Sequence, residues 1–334
     1  MATSPPQYQP AQKRLVVVVP ALNEAATIER VVRGVPATIP GVSSREILVI
    51  DDGSADETAS KARAAGASVV SHVTNRGVGV AFQTGLREAL RRKADIIVHI
   101  DGDGQFDPQD IPTLVRPVLE GRADITTCTR FADPRRYPEM PPLKVWGNRM
   151  VRTIINLTTG QRFTDVSCGF RAYSRDAALR LTLFGKFTYT HEVILDAVQK
   201  GLRIFEVPLT VRGEREAGRS RVASNVLVYG LQWLAIFFRA FRDSSPFQVF
   251  GVLATVTEAG GVGTGLFVLM HWLNTGQTFP YRSLVILSGV LILLGAFLFT
   301  VALLADMLRR QRLLIEELLY FMRKSVYDTD HGGS

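Results

Sequence analysis

Two carboxylates that stand one residue apart are the first chemical signal in this sequence. Asp101 and Asp103 follow the apolar run of residues 96–100, which predicts a buried strand, and Asp107-Pro108 predicts the start of the next helix. Open α/β sheets bind their ligands at the carboxyl ends of strands. Because neighbouring carboxylates repel each other unless a cation or a shared proton relieves them, Mg²⁺ or Mn²⁺ beside substrate phosphates is the natural occupant. A surface turn rich in Asp and Gly is the alternative.

The elements that must position this pair alternate between strands and helices. Apolar runs followed by helical patterns predict an α/β fold, a mostly parallel sheet with helices on both faces. No Gly-x-Gly-x-x-Gly follows the first run, which argues against a dinucleotide-binding Rossmann domain. The predicted strands are residues 15–19, 47–50, 67–70, 96–100, 124–129, 166–173 and 204–211, and the later helices are residues 108–120, 144–159 and 190–200.

A second acidic pair, Asp51-Asp52, ends the second predicted strand. Parallel strands bring it to the same edge of the sheet as Asp101. Carboxylates at this edge suit hydrogen bonds to a base or a ribose, because a phosphate would repel them. A helix cap at Ser54 or Asp56 is compatible with that interpretation.

The composition favours an anionic partner. The 334 residues include 39 Lys and Arg against 31 Asp and Glu, a net charge of +8, although only 21% of residues are charged. The basic residues gather beside apolar C-terminal segments, which disfavours nucleic-acid binding. Cys128 and Cys168 form no Cys-x-x-Cys, so we expect no zinc site and a reduced interior. No signal peptide is expected at the start, and residues 1–13, polar and rich in proline, predict a disordered tail.

The C-terminal third predicts attachment to a lipid bilayer. Residues 247–273 and 283–305 are long and apolar enough to be two transmembrane helices, and residues 223–243 and 308–326 predict amphipathic helices in the interface. Basic residues after the second span place the catalytic domain, residues 14–222, in the cytoplasm. Glu258 must then face protein or water. A hydrophobic hairpin buried in an oligomer is the alternative to two spans.

Five motifs in order carry a resemblance to a known family. Together they resemble the inverting family 2 glycosyltransferases of the GT-A fold, and within that family the dolichol-phosphate mannose synthases and bacterial polyprenyl-phosphate sugar transferases. The resemblance covers residues 14–222 by motif and the two-span tail by architecture. The motifs are Val18-Val19-Pro20-Ala21-Leu22-Asn23-Glu24, Val49-Ile50-Asp51-Asp52-Gly53-Ser54-x-Asp56, Asn75-Arg76-Gly77, Asp101-x-Asp103-x-Gln105 and Ser167-Cys168-Gly169-Phe170-Arg171.

The resemblance implies a residue set for each substrate. Asp101, Asp103 and Gln105 would hold Mg²⁺ or Mn²⁺ against the donor diphosphate. Arg130 and Arg149 would meet the acceptor phosphate. The loop Gly218-Arg219-Ser220-Arg221 resembles the family's Gly-x-Ser-Lys motif, with Arg221 in place of Lys, which keeps the charge and changes its geometry. The nucleotide sugar would be bound by Pro20, Asn23, Glu24, Asp51, Asp52, Arg76, Gly77, Asp101 and Gly102.

The implied reaction transfers a hexose with inversion from GDP-mannose or UDP-glucose to a polyprenyl phosphate. A phosphomonoester has a second pKa near 6, so the acceptor is largely dianionic at neutral pH and needs no general base. The protein must supply in-line alignment and positive charge, the latter from Arg residues for the acceptor and from the metal for the leaving group. The residues assigned to catalysis are Asp103, Arg130, Arg149, Arg219, Ser220 and Arg221. Two spans and two interfacial helices are compatible with a homo-oligomer.

Three other functions stay open at this point. A processive polysaccharide synthase shares the Asp-x-Asp core but usually has more spans and a Gln-x-x-Arg-Trp signature, which Gln232-Trp233 does not match. A transferase acting on a lipid or glycan hydroxyl needs a base, for which Glu192 or Asp165 are candidates. A membrane-anchored sugar-nucleotide-binding scaffold is the non-enzymatic alternative.

Overall fold

The computed structural model describes residues 13–132, 142–183, 189–211 and 246–328. The chain divides into two units, one formed by residues 1–226 with 319–334 and the other by residues 227–318. Three predicted segments lie outside the described residues: the N-terminal tail up to residue 12, the amphipathic helix at 223–243 and the loop at 218–221.

The described part of the first unit is built on one seven-stranded sheet, ordered β3-β2-β1-β4-β6-β5-β7. Every neighbouring pair is parallel except the two that involve β6, which is antiparallel to both β4 and β5. This mixed, mostly parallel sheet confirms the predicted α/β class. The strands are β1 Lys13–Ala21, β2 Val42–Asp51, β3 Ser68–Ser71, β4 Ile96–His99, β5 Ile125–Thr129, β6 Arg171–Ser174 and β7 Ile204–Pro208.

Both faces of the sheet are covered by apolar packing, which explains the unbroken apolar run of β1. Val17 and Val19 pack into one core cluster, and Val16 and Val18 pack into another on the opposite face. A strand buried on both faces has no polar side to alternate with. The helices described between residues 13 and 211 are α1 Ile28–Gly34, α2 Thr58–Ala64, α3 Val78–Arg91, α4 Ile111–Leu119, α5 Pro142–Thr159, α6 Arg175–Arg180 and α7 Tyr189–Gln199.

Local start signals in the sequence are confirmed by the structure. The Asp107 carboxylate accepts a 2.9 Å hydrogen bond from the backbone N–H of Gln109 and caps a short 3-10 turn, Pro108–Asp110, that leads into α4. The Asp56 carboxylate likewise accepts from the Thr58 N–H at the start of α2.

Two strand predictions were too long. The predicted strand at 166–173 is a strand only from Arg171 onward, because backbone groups before Phe170 bond to side chains rather than to a neighbouring strand. The N–H of Ser167 donates to Asp165, and the Gly169 carbonyl accepts from His99. The predicted strand at 204–211 ends at Pro208, because its partner strand β5 ends at Thr129, the residue paired with Pro208.

The described part of the second unit contains two long apolar helices. Helices α8 Pro246–Thr275 and α9 Arg282–Asp328 are long and apolar enough to cross a membrane, and residues 319–328 of α9 belong to the first unit. Small residues bring α8 and α9 close together: Ser288 Oγ donates 2.8 Å to the Gly261 carbonyl. The predicted second span and the predicted amphipathic segment at 308–326 are parts of the one helix α9.

Candidate active site

The acidic turn after β4 lies against the end of β1. Strands β2 and β4 flank β1 and run parallel to it, and Ala21 lies in register with Asp51, so the acidic ends of β2 and β4 share one edge of the sheet. The Gly102 N–H donates to the Pro20 carbonyl over 3.3 Å. A Cβ at Gly102 would lie 3.2 Å from that carbonyl oxygen, so glycine permits this approach.

Two further hydrogen bonds stabilise the same turn. The Thr27 hydroxyl donates 2.7 Å to the Gly102 carbonyl, and Asp103 Oδ1 accepts 3.1 Å from the Gln105 N–H. Asp103 is only 3% exposed, whereas Asp101 and Gln105 are half-buried. A carboxylate so deeply buried needs positive charge or hydrogen bonds to offset its desolvation.

These side chains fit a divalent metal that also has substrate ligands. Asp101, Asp103 and Gln105 supply oxygens of the kind that Mg²⁺ and Mn²⁺ prefer. No group of three or more His, Cys, Asp or Glu residues in the described ranges is placed to hold an ion by itself. A site of two carboxylates completed by a diphosphate agrees both with these oxygen ligands and with their small number.

The loops after β1 and β2 are tied to each other. The Asn23 N–H donates 2.9 Å to Ser54 Oγ, and Asn23 Oδ1 accepts 2.8 Å from the Ala55 N–H. The Glu24 N–H donates 2.8 Å to Thr58 Oγ1. Asn23 has a φ of 55°, a left-handed conformation that Asn tolerates better than most residues. Its predicted role at the nucleotide pocket therefore coincides with a structural role in joining two loops.

Asp52 holds a third loop in place. Its Oδ1 accepts 2.6 Å from His72 Nδ1 and 3.0 Å from the Arg76 N–H, and its Oδ2 accepts 2.8 Å from the Gly77 N–H. Because a carboxylate only accepts, the proton lies on Nδ1 of His72, and Nε2 is paired with Thr84 Oγ1 at 3.1 Å. The Arg76 side chain stays exposed at the rim. Asp51 similarly accepts from the Ser54 N–H within its own turn.

Arg130, just after β5, is held by a buried carboxylate. Its Nε and Nη2 donate to Asp165 over 2.6 and 3.0 Å, and Nη2 also donates to Ser167 Oγ over 2.6 Å. Ser167 Oγ is paired in turn with Asn148 on α5 at 2.9 Å. Burial raises the pKa of Asp165, but the Arg130 charge and hydrogen bonds outweigh burial and hold that pKa below its ordinary value. Arg149 lies on α5 and is exposed, and Arg219, Ser220 and Arg221 lie outside the described residues.

Several buried polar residues near the edge were given no role in the sequence analysis. Arg171 is 0% exposed and donates to the Thr190 carbonyl over 2.7 Å, so the arginine of the fifth motif supports the core. Burial lowers the pKa of His99 to about 4. Burial, with a smaller effect of the Asp101 charge, raises the pKa of Tyr189. The sequence signal that could have indicated these buried polar residues was His99, a polar residue within an apolar strand.

Comparison with known proteins identifies the family. The sequence profile described as Glycosyl transferase family 2 matches residues 16–182. The chain belongs to this family. It is therefore a glycosyltransferase, and the seven-stranded sheet is its GT-A-like catalytic fold.

Relatives of this glycosyltransferase extend the similarity beyond the profile. Glycosyltransferase AglJ of Haloferax volcanii is 29% identical over 314 residues, which cover 92% of this chain and 99% of that protein. The UDP-N-acetylglucosamine–dolichyl-phosphate N-acetylglucosaminyltransferase of Methanococcus voltae is 29% identical over 239 residues, 65% of this chain and 92% of that protein.

A solved structure supports the fold of this glycosyltransferase. Glucosyl-3-phosphoglycerate synthase from Mycobacterium tuberculosis, in complex with Mn²⁺, UDP-glucose and phosphoglyceric acid, superimposes with a TM-score of 0.54 at 26% identity. The match covers 71% of this chain and 85% of that one. That enzyme was crystallised with a divalent metal and a nucleotide sugar together.

Proposed function

We propose that this glycosyltransferase transfers a hexose, mannose or glucose, from a nucleotide sugar to a polyprenyl phosphate with inversion. The dolichyl-phosphate activity in the name of the Methanococcus voltae relative supports the acceptor class. The observation that carries the proposal is the ion pair between Arg130 and Asp165. In this pair Asp165, a candidate general base, instead holds the positively charged guanidinium of Arg130 in place.

The donor lies at the edge formed by β1, β2 and β4. The loops joined by Asn23 and Asp52 form the nucleotide side, and Asp101, Asp103 and Gln105 form the diphosphate side. When bound there, Mg²⁺ or Mn²⁺ supplies a positive charge that offsets the charge developing on the departing nucleoside diphosphate. The Mn²⁺ in the Mycobacterium tuberculosis structure supports a divalent ion for this chain.

The acceptor is brought in by positive charge. Nε and Nη2 of Arg130 donate to Asp165 and Ser167, and these bonds orient the guanidinium that we propose meets the acceptor phosphate. Arg149 adds an exposed guanidinium on α5. A dianionic phosphate oxygen attacks the anomeric carbon directly, the bond to the diphosphate breaks, and no proton has to be removed.

The main alternative, transfer to a hydroxyl, requires a general base. Asp165 suits that role poorly because its side chain is 0% exposed, both its oxygens bond to Arg130 and its pKa is lowered. Glu192, half-buried at the start of α7, is the base that this alternative would need.

The proposed location is the cytoplasmic face of a membrane. Residues 320–323 return to the catalytic unit: Tyr320 donates 2.6 Å to Asp176, and Arg323 donates 2.7 Å to the Leu181 carbonyl. A chain that crosses a bilayer twice returns to the side it left. The basic residues Arg309, Arg310 and Arg312 favour the cytoplasm as that side.

Transfer in membranes tests the proposal. Membranes that contain the protein are incubated with radiolabelled GDP-mannose or UDP-glucose and either polyprenyl phosphate or polyprenol, with Mn²⁺ or with a chelator. We expect a metal-dependent, acid-labile lipid product from the phosphate acceptor alone. A product formed from polyprenol and not from polyprenyl phosphate would contradict the proposed acceptor.

Two matched variants distinguish the loss of a metal-site carboxylate from the loss of a nearby carboxylate outside that site. Asp103→Asn should reduce transfer about 100-fold or more, because it removes the negative charge of a proposed metal ligand. Asp107→Asn should retain activity, since Asn is an equally good cap for the turn after the site. Equal activities of these two variants would argue against the metal assignment.

A further inference from the structure

We propose that Glu206 is a positioning residue that holds Arg130, through the segment at residues 163–167, in the orientation that meets the acceptor phosphate. This role rests on the proposed function, in which Arg130 binds that phosphate. Glu206 lies on β7 in register with Thr127 of β5, and Arg130 follows the last residue of β5. Strand pairing therefore brings Glu206 beside the end of β5, although the two residues are distant in the sequence.

The Glu206 carboxylate binds two consecutive backbone N–H groups. Its Oε1 accepts 2.9 Å hydrogen bonds from the N–H groups of Thr164 and Asp165, and its Oε2 accepts from the Thr164 N–H over 2.9 Å. Hydrogen bonds of this kind to an ionised carboxylate are stronger than neutral ones. They hold the backbone of Asp165, whose own carboxylate accepts from Nε and Nη2 of Arg130. One hydrogen-bonded connection thus runs from Glu206 through Asp165 to the guanidinium.

A second connection runs through two hydroxyl groups. Thr164 Oγ1 donates 3.1 Å to Glu206 Oε2 and lies 2.6 Å from Thr129 Oγ1. A carboxylate only accepts, so the Thr164 hydroxyl gives its one hydrogen to Glu206 and accepts the hydrogen of the Thr129 hydroxyl. The Thr129 oxygen accepts in turn from the Phe131 N–H over 3.3 Å. Glu206 is therefore linked to the residues on both sides of Arg130.

The segment at residues 163–167 is also bonded to α5. Asn156 of α5 exchanges two 3.0 Å hydrogen bonds with the backbone of Phe163. Helix α5 carries Arg149, the other arginine proposed to meet the acceptor phosphate. The proposed donor site lies elsewhere, in the loops after β1, β2 and β4. Loss of the Glu206 contacts should consequently weaken the use of the acceptor and leave the use of the donor unchanged.

Steady-state kinetics with each substrate varied in turn test this role. The purified full-length protein in detergent is assayed with polyprenyl phosphate and with the nucleotide sugar, GDP-mannose or UDP-glucose, that the parent uses. We expect Glu206→Gln to raise the KM for polyprenyl phosphate about tenfold, the effect of one hydrogen bond to a charged group, and to leave the donor KM within about twofold of the parent. An acceptor KM within about twofold of the parent, or an equal rise in both KM values, overturns the role.

A general loss of stability would give a different result. It reduces the amount of active protein, which lowers the apparent kcat and moves neither KM. The Glu206→Gln protein is also expected to fold. Burial raises the pKa of Glu206, so the folded chain favours a neutral side chain at this position.

Two threonine variants provide a matched pair. Thr164→Val removes the hydroxyl that joins Glu206 to Thr129, and we expect it to raise the acceptor KM several-fold. Thr126→Val removes a hydroxyl of β5 that donates 2.7 Å to the Leu114 carbonyl, outside the segment at 163–167. We expect this control to lose stability without a change in either KM. Equal acceptor KM values in the two variants overturn the role of Glu206.

Arg130→Lys distinguishes failure of this role from failure of the proposed function. Lysine keeps the charge but cannot form the two parallel bonds to Asp165. If Arg130→Lys leaves the acceptor KM unchanged, the acceptor site of the proposed function is wrong, and the role of Glu206 with it. If Arg130→Lys raises that KM and Glu206→Gln does not, the role of Glu206 alone fails. Because Glu206 acts through Arg130, adding Glu206→Gln to Arg130→Lys should raise the acceptor KM by less than about twofold more, and a full additional rise overturns this route.

Discussion

Arg130 and Asp165 form an ion pair with two parallel hydrogen bonds, Nε to Oδ2 at 2.6 Å and Nη2 to Oδ1 at 3.0 Å. The side chain of Asp165 is 0% exposed and that of Arg130 is 11% exposed. The pair therefore lies at the border between the core and the candidate acceptor site. The two hydrogen bonds orient the Arg130 guanidinium. Because the pair is buried, each charge needs the other to offset the cost of its removal from water.

Removing the Asp165 charge should destabilise the catalytic unit. Asp165→Asn keeps the shape but leaves the Arg130 charge buried without its counter-ion, a change that costs about 3–5 kcal/mol. Thermal unfolding of the purified protein measures the loss. The control is Asp124→Asn, whose partner Arg203 is 59% exposed in a similar two-bond pair, and we expect at most about 1 kcal/mol there. Equal losses in the two variants would contradict the burial argument.

The same pair predicts how stability depends on pH. The folded-state pKa of Asp165 lies below its ordinary value of 3.8, so the unfolded chain takes up the proton first as pH falls. The contribution of Asp165 is then fully present above about pH 4 and is lost as pH falls through the lower folded-state pKa. The gap in stability between the parent and Asp165→Asn should stay constant from pH 8 to 5 and narrow only below about pH 4. A gap that closes between pH 7 and 5 would contradict this assignment.

Loss of the His72–Asp52 hydrogen bond should weaken binding of the donor. His72→Phe keeps an aromatic ring but removes the 2.6 Å bond that helps Asp52 hold the Arg76-Gly77 loop. A hydrogen bond to a charged group is worth about 1.5–3 kcal/mol, so we expect at least about a tenfold rise in the dissociation constant for UDP. Calorimetric titration measures it. Thr84→Val, which removes only the outer partner of His72, should have a much smaller effect.

Two glycines with positive φ should respond differently to alanine. At Gly53, with φ of 77°, a Cβ would lie 2.7 Å from the carbonyl carbon of Thr74, whereas at Gly66, with φ of 97°, nothing lies within 4 Å. Gly66→Ala should therefore show only the left-handed strain, about 1–2 kcal/mol. Gly53→Ala should lose about 1–3 kcal/mol more from overpacking. Equal unfolding midpoints for the two variants would argue against the close approach of the 74–75 backbone to Gly53.

The C-terminal end of α9 should loosen when Arg323 is removed. Arg323 Nη1 donates to the carbonyls of Leu179 and Leu181 over 3.1 and 2.7 Å. We expect Arg323→Ala to speed proteolytic cleavage within residues 319–328 several-fold, because these contacts hold the segment on α6 and the residue after it. Lys324→Ala, at an exposed neighbouring position, should cleave at the parent rate. Cleavage at the same rate in both variants would contradict the docking.

Local patterns in the sequence predicted the parts of this protein that depend on local chemistry. Apolar runs identified the strands, because strands buried on both faces must be apolar throughout. The position of Asp101 and Asp103 after such a run predicted acidic residues at the carboxyl edge. Asp107-Pro108 predicted a cap that the structure confirms. These signals involve residues that are neighbours in the chain.

Tertiary structure alone decided the contacts between distant segments. The antiparallel insertion of β6 between β4 and β5 brings Gly169 beside Asp101 and His99, and no periodicity encodes that strand order. The same insertion places Asp165 against Arg130, so that Asp165, a candidate general base, holds the Arg130 guanidinium instead. The sequence by itself determined the family, the sheet and its acidic edge. Folding determined the partner of each charge, because hydrogen bonds and ion pairs depend on distances that only the assembled sheet establishes.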